Sequence, residues 1–133
     1  MAERVYCLYR GKDQGSILMQ KNACHDFAEK KGWNIVGEEQ EIGVSGYKVS
    51  TDDLVKLKRI RKAAEQGEFD ILLVFMYDRL GRNLNETPFI AEWFTKKGIH
   101  VWSVYEGEII DGVDAERMLD YIRFWQTDEA QKL

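Results

Sequence analysis

The sequence predicts an α/β fold, a three-layer sandwich around a mainly parallel sheet of about four strands. Three observations point to it. Short β-branched or aromatic runs alternate with helix-period segments along the whole chain. The run FDILLVFM at 69–76 is apolar almost throughout, as a strand covered on both faces is. The connections are short, which joins parallel strands through crossover helices lying on the sheet.

Taken in order, RVYCLY (4–9) reads as the first strand. From about Ile17 to Lys31 a helix carries Leu18, Ala23, Phe27 and Ala28 near helical spacing, and Gly32 closes it. WNIVGEEQEI (33–42) gives the second strand, followed by the glycine-rich turn GVSG. Ser50 or Asp52 caps a helix over Leu54, Leu57, Ile60, Ala63 and Ala64, which ends at Gly67. After the third strand at 69–76, a helix places Phe89, Ile90, Trp93 and Phe94 on one face and ends at Gly98, with Pro88 tolerated in its first turn. IHVWSV (99–104) is the fourth strand, and ERMLDYIRFWQ begins a last helix beyond an acidic loop.

The 133 residues suit one domain with a real core. At 44% hydrophobic and 32% charged, the composition is that of an ordinary soluble globular protein. No run approaches the roughly 18 apolar residues of a membrane span, and the N-terminus has no signal-peptide shape, so a cytoplasmic location is expected. Cys7 and Cys24 lack metal-ligand spacing and read as buried thiols; no metal site or cofactor is expected. A net charge of −4 argues against a freestanding nucleic-acid binder. The charge is uneven, however: KLKRIRK at 56–62 holds five of the 19 basic residues. That run is either a solvated helix face or a surface turned toward phosphate.

In sheets of this kind the functional cleft lies beyond the carboxyl ends of the strands. Three segments leave strands there: RGKDQGS, GVSG and YDRLGRN. Arg79 and Arg82 are three apart with Gly81 between them, and Arg10 leaves the end of the first strand. Guanidiniums converging there suit a phosphate, whose oxygens match their planar fork of donors. Asp78 either orients that pair or forms a plain surface ion pair with Arg79. A nucleotide site is the weaker expectation, since no GxGxxG or GxxxxGK[ST] stretch is present to cradle phosphates.

YDRLGRN after an apolar strand resembles the D-R-L-G-R signature of the serine recombinases, the resolvase and invertase family of site-specific DNA recombinases. SILMQKNACHDFAEKKGW is similar to that family's S-L-x-x-Q helix, GVSGYK to its S-G turn, and FDILLVFM to its third strand. The resemblance implies a resolvase-like catalytic domain over residues 1–133 that ends within a long dimerisation helix, with the DNA-binding domain absent. It implies DNA as partner and pairing into a dimer or tetramer through the C-terminal helix, with neither a membrane nor a small-molecule substrate. There, Met118, Tyr121, Ile122 and Trp125 form a dimer surface or an ordinary core-facing stripe.

The implied chemistry is attack by a serine, on the loop after strand one, on a DNA phosphodiester. The arginines stabilise the transferring phosphate, and no metal is involved. By matching motif positions, Arg10, Gln20, Asp70, Asp78, Arg79 and Arg82 carry over as site residues.

This chain departs from the pattern at the nucleophile. Counted forward from Arg10, the position is Lys12; counted back from Gln20, it is Gly11. Ser16 aligns with the serine that starts the helix, and its expected job is capping; it is a nucleophile only if the loop is rewired. The family's cleft arginine after the S-G turn is also missing, with Thr51 or Leu54 at that position and Lys48 as a point charge nearby. The expected function is thus a recombinase catalytic domain deficient in cleavage, or a non-catalytic dimerisation or regulatory module on the same fold.

Overall fold

The computed structural model describes residues 2–42, 55–80 and 87–109. The GVSG turn, the caps at Ser50 and Asp52, the positions Lys48, Thr51 and Leu54, Gly81 with Arg82, and the last helix lie outside the described residues.

The elements run β1 (Arg4–Gly11), α1 (Gln14–Lys31), β2 (Asn34–Ile42), α2 (Val55–Glu65), β3 (Ile71–Val74), a 3-10 turn (Tyr77–Arg79), α3 (Thr87–Lys96), β4 (His100–Ser103) and β5 (Gly107–Ile109). The sheet order is β2-β1-β3-β4-β5. β1 to β4 are parallel, and β5 returns antiparallel to β4 with Val101 opposite Ile109. Among the described residues the sheet therefore has five strands, against the expected four or so. The added one is three residues long, too short to show an alternation in sequence.

Strand alternation sorts the core onto the two faces. Val5, Cys7 and Tyr9 of β1, with Ile71 and Leu73 of β3, pack with Ile17 and Cys24 of α1. Leu8, Leu72 and Val74 pack on the other face with Leu57 and Ile60 of α2 and Ile90, Ala91 and Phe94 of α3. Both cysteines are buried free thiols. On the α1 face, Phe27, Trp33 and Trp102 form a ring cluster, and the Lys31 ammonium lies 5.0 Å from the Trp102 centroid.

Two helix details differ from expectation. α1 starts at Gln14 and is capped by Asp13, whose carboxylate accepts the Ser16 N–H at 2.8 Å; Ser16 is not the cap. Its C-terminus ends as expected on Gly32, at φ 74° in the left-handed region that glycine enters without Cβ strain. In α3, Ile90 and Phe94 are buried but Phe89 is 72% exposed, so the buried stripe runs through Thr87, Ile90, Ala91 and Phe94.

The basic run on α2 is largely exposed where it is described. Lys58, Arg59 and Lys62 are exposed, Arg59 reaches Glu39 at 3.7 Å, and Arg61 stacks 5.2 Å from the Trp93 centroid. Among the described residues no helix is long and apolar enough to cross a membrane.

At the amino ends of the strands, Asp70 accepts from the Arg4 backbone N–H at 3.0 Å and from its guanidinium Nη2 at 2.9 Å. Those bonds hold the Asp70 carboxyl below the usual carboxylate range. A depressed folded-state pKa contributes stability above the unfolded value and loses it as pH falls through the folded one. Asp70→Asn is expected to flatten the acid limb of melting temperature against pH, while changing the neutral plateau little because the pair is exposed.

Candidate functional site

From β1 the chain passes to β2 on one side through α1 on one face, and from β2 it crosses back to β3 on the other side of β1 through α2 on the opposite face. The carboxyl ends of β1 and β3 thus form the topological switch point, where diverging loops open a crevice in a doubly wound sheet. Arg10 and Gly11 end β1 at this edge, and the Tyr77–Arg79 turn follows β3 there.

The turn after β3 is built from its own sequence. Tyr77 and Leu80 are both fully buried, and they pin the two residues between them at the surface. Backbone bonds from Arg79 N to Met76 O (2.9 Å) and from Leu80 N to Tyr77 O (3.1 Å) close it. Asp78 and Arg79 keep side chains 31% and 34% exposed. The Arg79 Nε lies 3.5 Å from Asp78 Oδ1, an ion pair with no hydrogen bond in it, and both atoms are buried without a hydrogen-bond partner. Burial pushes the Asp78 carboxyl up, and the neighbouring Arg79 opposes that. The pair is therefore an ion pair without a hydrogen bond, on an Arg79 side chain that stays about one-third exposed.

Arg10 is held differently. Its Nε donates to Glu41 Oε2 at 2.9 Å, and the two side chains are 13% and 10% exposed. Glu41 lies beside Arg10 in the β1–β2 register. For Arg10 the end of β2 thus supplies a compensating carboxylate. Only its place at the end of an acid-rich strand, EEQEI, hinted at it.

Gln20 is fully buried behind the loop. Its Nε2 donates to Arg10 O at 2.7 Å, and its Oε1 accepts the Arg10 N–H at 3.1 Å. β3 ends at Val74, opposite Leu8, so no strand continues along that flank of β1; the Gln20 amide takes its place. The same Nε2 also reaches Ser16 Oγ at 3.2 Å. Ser16 lies directly over Gly11, where an added Cβ would come within 2.5 Å of its Oγ.

The remaining expected residue, Asp70, stands at the opposite end of the sheet from this cluster, separated from Asp78 by the length of β3. Glu106 and Ser103, not anticipated from sequence, complete the edge. Glu106, in the β4–β5 turn, accepts the Tyr77 N–H at 3.0 Å and the Ser103 hydroxyl, and its own N–H donates back to Ser103 Oγ at 2.8 Å. Burial pushes the Glu106 carboxyl up; the Ser103 and Tyr77 bonds oppose this and Asp78 adds to it. Among the described residues no group of three or more potential metal ligands occurs.

The comparisons with known proteins agree with this fold. The family model described as "Resolvase, N terminal domain" matches residues 10–129. The N-terminal catalytic domain of TP901-1 integrase is 25% identical, with a TM-score of 0.71 over 93% of this chain and 96% of that one. A resolvase family site-specific recombinase from Streptococcus pneumoniae shares the fold at 20% identity and a TM-score of 0.72, over 98% of this chain and 92% of that one. The C-terminal catalytic domain of ISC1926 TnpA, an IS607-like serine recombinase, shares it at 24% identity and 0.63, over 90% and 79%. No curated protein matches the sequence significantly. With the family match spanning nearly the whole chain and the DRL turn lying at the switch point of the sheet, the protein belongs to the resolvase family, as its N-terminal, site-specific recombinase catalytic domain.

Proposed function

We propose that this domain engages DNA through a backbone phosphate at Arg79, assisted by Arg10 and Arg82, and does not itself cleave the strand. The observation that carries this reading is the contrast between the two loops at the switch point. The loop after β3 presents an arginine whose side chain is about one-third exposed and is not hydrogen-bonded to its neighbour Asp78. The loop after β1, RGKDQGS, has Gly11 and Lys12 where the family places its serine. Its one hydroxyl, Ser16, sits on α1 against Gly11 and accepts from Gln20. A nucleophile displaced by even about 1 Å forfeits on the order of a hundredfold in rate, so a hydroxyl in that position is a poor substitute.

Dimer or tetramer formation through the C-terminal helix and a cytoplasmic location belong to the same reading, and family membership supports both. A missing nucleophile favours a partner role in such an assembly, pairing with a cleavage-competent relative on DNA.

The test is a binding titration with a short fluorescent duplex over a range of salt concentrations. Arg79→Ala is expected to weaken binding and to lower the slope of log K against log salt by about 1, as loss of one phosphate contact does. In parallel, denaturing gels are expected to show no covalent protein–DNA band. A duplex affinity untouched by Arg79→Ala would sink the phosphate assignment. A covalent band that disappears in Ser16→Ala would sink the claim that cleavage is lost.

A further inference from the structure

The residues around the DRL turn carry an unusual concentration of unspent polarity. Tyr77 Oη, Asp78 Oδ1, Arg79 Nε and Glu106 Oε2 are each buried and lack a hydrogen-bond partner among the described residues. Buried polar atoms are nearly always satisfied, so a group of four in one place marks a position held for something other than stability. Three of the four belong to the turn itself. The fourth is on Glu106, which arrives from the β4–β5 turn, 27 residues further along the chain than Arg79.

Glu106 is also the residue that fixes where the turn starts. β3 gives out at Val74, and Tyr77 is the first residue of the 3-10 turn, whose opening N–H groups have no partner within the turn itself. Met76, before it, makes no side-chain cap. The Tyr77 N–H is taken instead by Glu106 Oε1 at 3.0 Å. Glu106 is itself clamped: the Ser103 hydroxyl donates to the same oxygen, and the Glu106 N–H donates back to Ser103 Oγ at 2.8 Å. The chain of contacts runs from the end of β4, through a carboxylate, to the backbone one residue before Asp78 and two before Arg79.

We propose that Glu106 is a positioning residue of the phosphate site: one carboxylate oxygen anchors the turn that presents Arg79, while the other lies unpaired near Asp78. The inference rests on the phosphate reading of Arg79 and adds a residue from a separate loop to it. The groups facing Glu106 are Tyr77 and Asp78 from the turn after β3, with Arg79 paired to Asp78 beyond them, and Ser103 from the end of β4.

Two consequences separate positioning from mere packing. A neutral side chain of the same shape keeps an acceptor for Tyr77 N–H, and it removes a negative charge from beside a site for an anion. A side chain of similar size with no acceptor releases the turn. Both carboxyls, Asp78 and Glu106, are pushed up by burial, so each takes up a proton earlier than usual as pH falls. Protonation then removes negative charge facing the phosphate, and duplex binding strengthens on the acid side.

The experiment measures binding of a short fluorescent duplex by the wild type, Glu106→Gln, Glu106→Leu and Arg79→Ala, from neutral to mildly acid pH. Glu106→Gln is expected to bind at least as well as the wild type at neutral pH and to show a smaller acid-side gain. Glu106→Leu is expected to bind about tenfold more weakly, the equivalent of losing one charge-assisted contact. Wild-type affinity in a folded Glu106→Leu variant overturns the proposal. If that variant does not fold, a Glu106→Gln pH profile identical to the wild type overturns it instead. The Arg79→Ala arm isolates the premise: if that variant binds normally the phosphate reading has failed, whereas a loss there with no Glu106 effect condemns the positioning role alone.

Discussion

Gly11→Ser is expected to destabilise the domain by about 1–3 kcal/mol rather than to restore a nucleophile. Counting along the sequence leaves Gly11 and Lys12 as rival positions for the missing serine, and the structure separates them. β1 remains paired with β2 through Gly11, opposite Ile42, so strand alternation still governs its side-chain direction. Arg10 falls in step with Leu8, toward the α2 and α3 face; Gly11 falls in step with Tyr9 and Cys7, toward α1. There the space is filled. An ideal Cβ on Gly11 would stand 2.5 Å from Ser16 Oγ, 2.8 Å from Ser16 Cβ and 3.3 Å from Gln20 Nε2. Ser16 is anchored in the first turn of α1 and cannot withdraw without disturbing the Asp13 cap.

Lys12, by contrast, is exposed beyond the end of the strand. Lys12→Ser is expected to change stability by less than about 0.5 kcal/mol, as surface substitutions usually do. Chemical denaturation of both variants checks the contrast. Adding Ser16→Gly to Gly11→Ser should recover part of the loss, because it removes the atoms in the way. If Gly11→Ser folds as stably as the wild type, the loop is more open than the contact with Ser16 implies. In that case both positions become candidates for rebuilding a nucleophile.

That contrast also shows what the sequence could convey. The DRLGR run was legible because its parts are local: a buried tyrosine and a buried leucine, spaced to bracket an acid and an arginine, fit within four residues. The partners of the site were not, because each comes from a different strand end. Glu41 meets Arg10 across the β1–β2 register, and Glu106 meets Tyr77 from beyond β4. In the sequence they are members of acid-rich stretches with nothing to single them out.

Similar reasoning explains the misplaced details of the fold. Phe89 with Trp93, and Ile90 with Phe94, form two overlapping stripes at helical spacing, and periodicity alone does not say which faces the core. The apolar run at 69–76 overshoots β3 by two residues at each end, since Phe69, Phe75 and Met76 extend it past the ladder. At the start of α1 the sequence offers two caps three residues apart, Asp13 and Ser16. Either residue type caps well, and only the backbone shows which one does.

The larger effect on stability is expected at Gln20. Its amide meets both polar groups of one residue, Arg10, as a neighbouring strand would, and it does so fully buried. Replacing it with methionine preserves length and volume but leaves the Arg10 N–H and C=O without those partners. Each orphaned group costs about 1–3 kcal/mol, so a loss of about 3 kcal/mol is expected in denaturant unfolding. Gln20→Glu should do worse near neutral pH, since a carboxylate would face the Arg10 carbonyl and carry a charge into a closed space. Lowering the pH should restore part of its stability, because a protonated carboxyl can donate to that carbonyl as the amide does. The pH response is what identifies the clamp: a side chain that merely fills volume would make Gln20→Met the milder variant at every pH. The consequence for the site follows from the same contacts. Gln20 sets the backbone from which Arg10 leaves the sheet, so releasing it frees the loop that the family uses for its nucleophile. A Gln20→Met protein that remains folded should therefore also lose duplex affinity, although Gln20 lies behind Arg10 and inside the core.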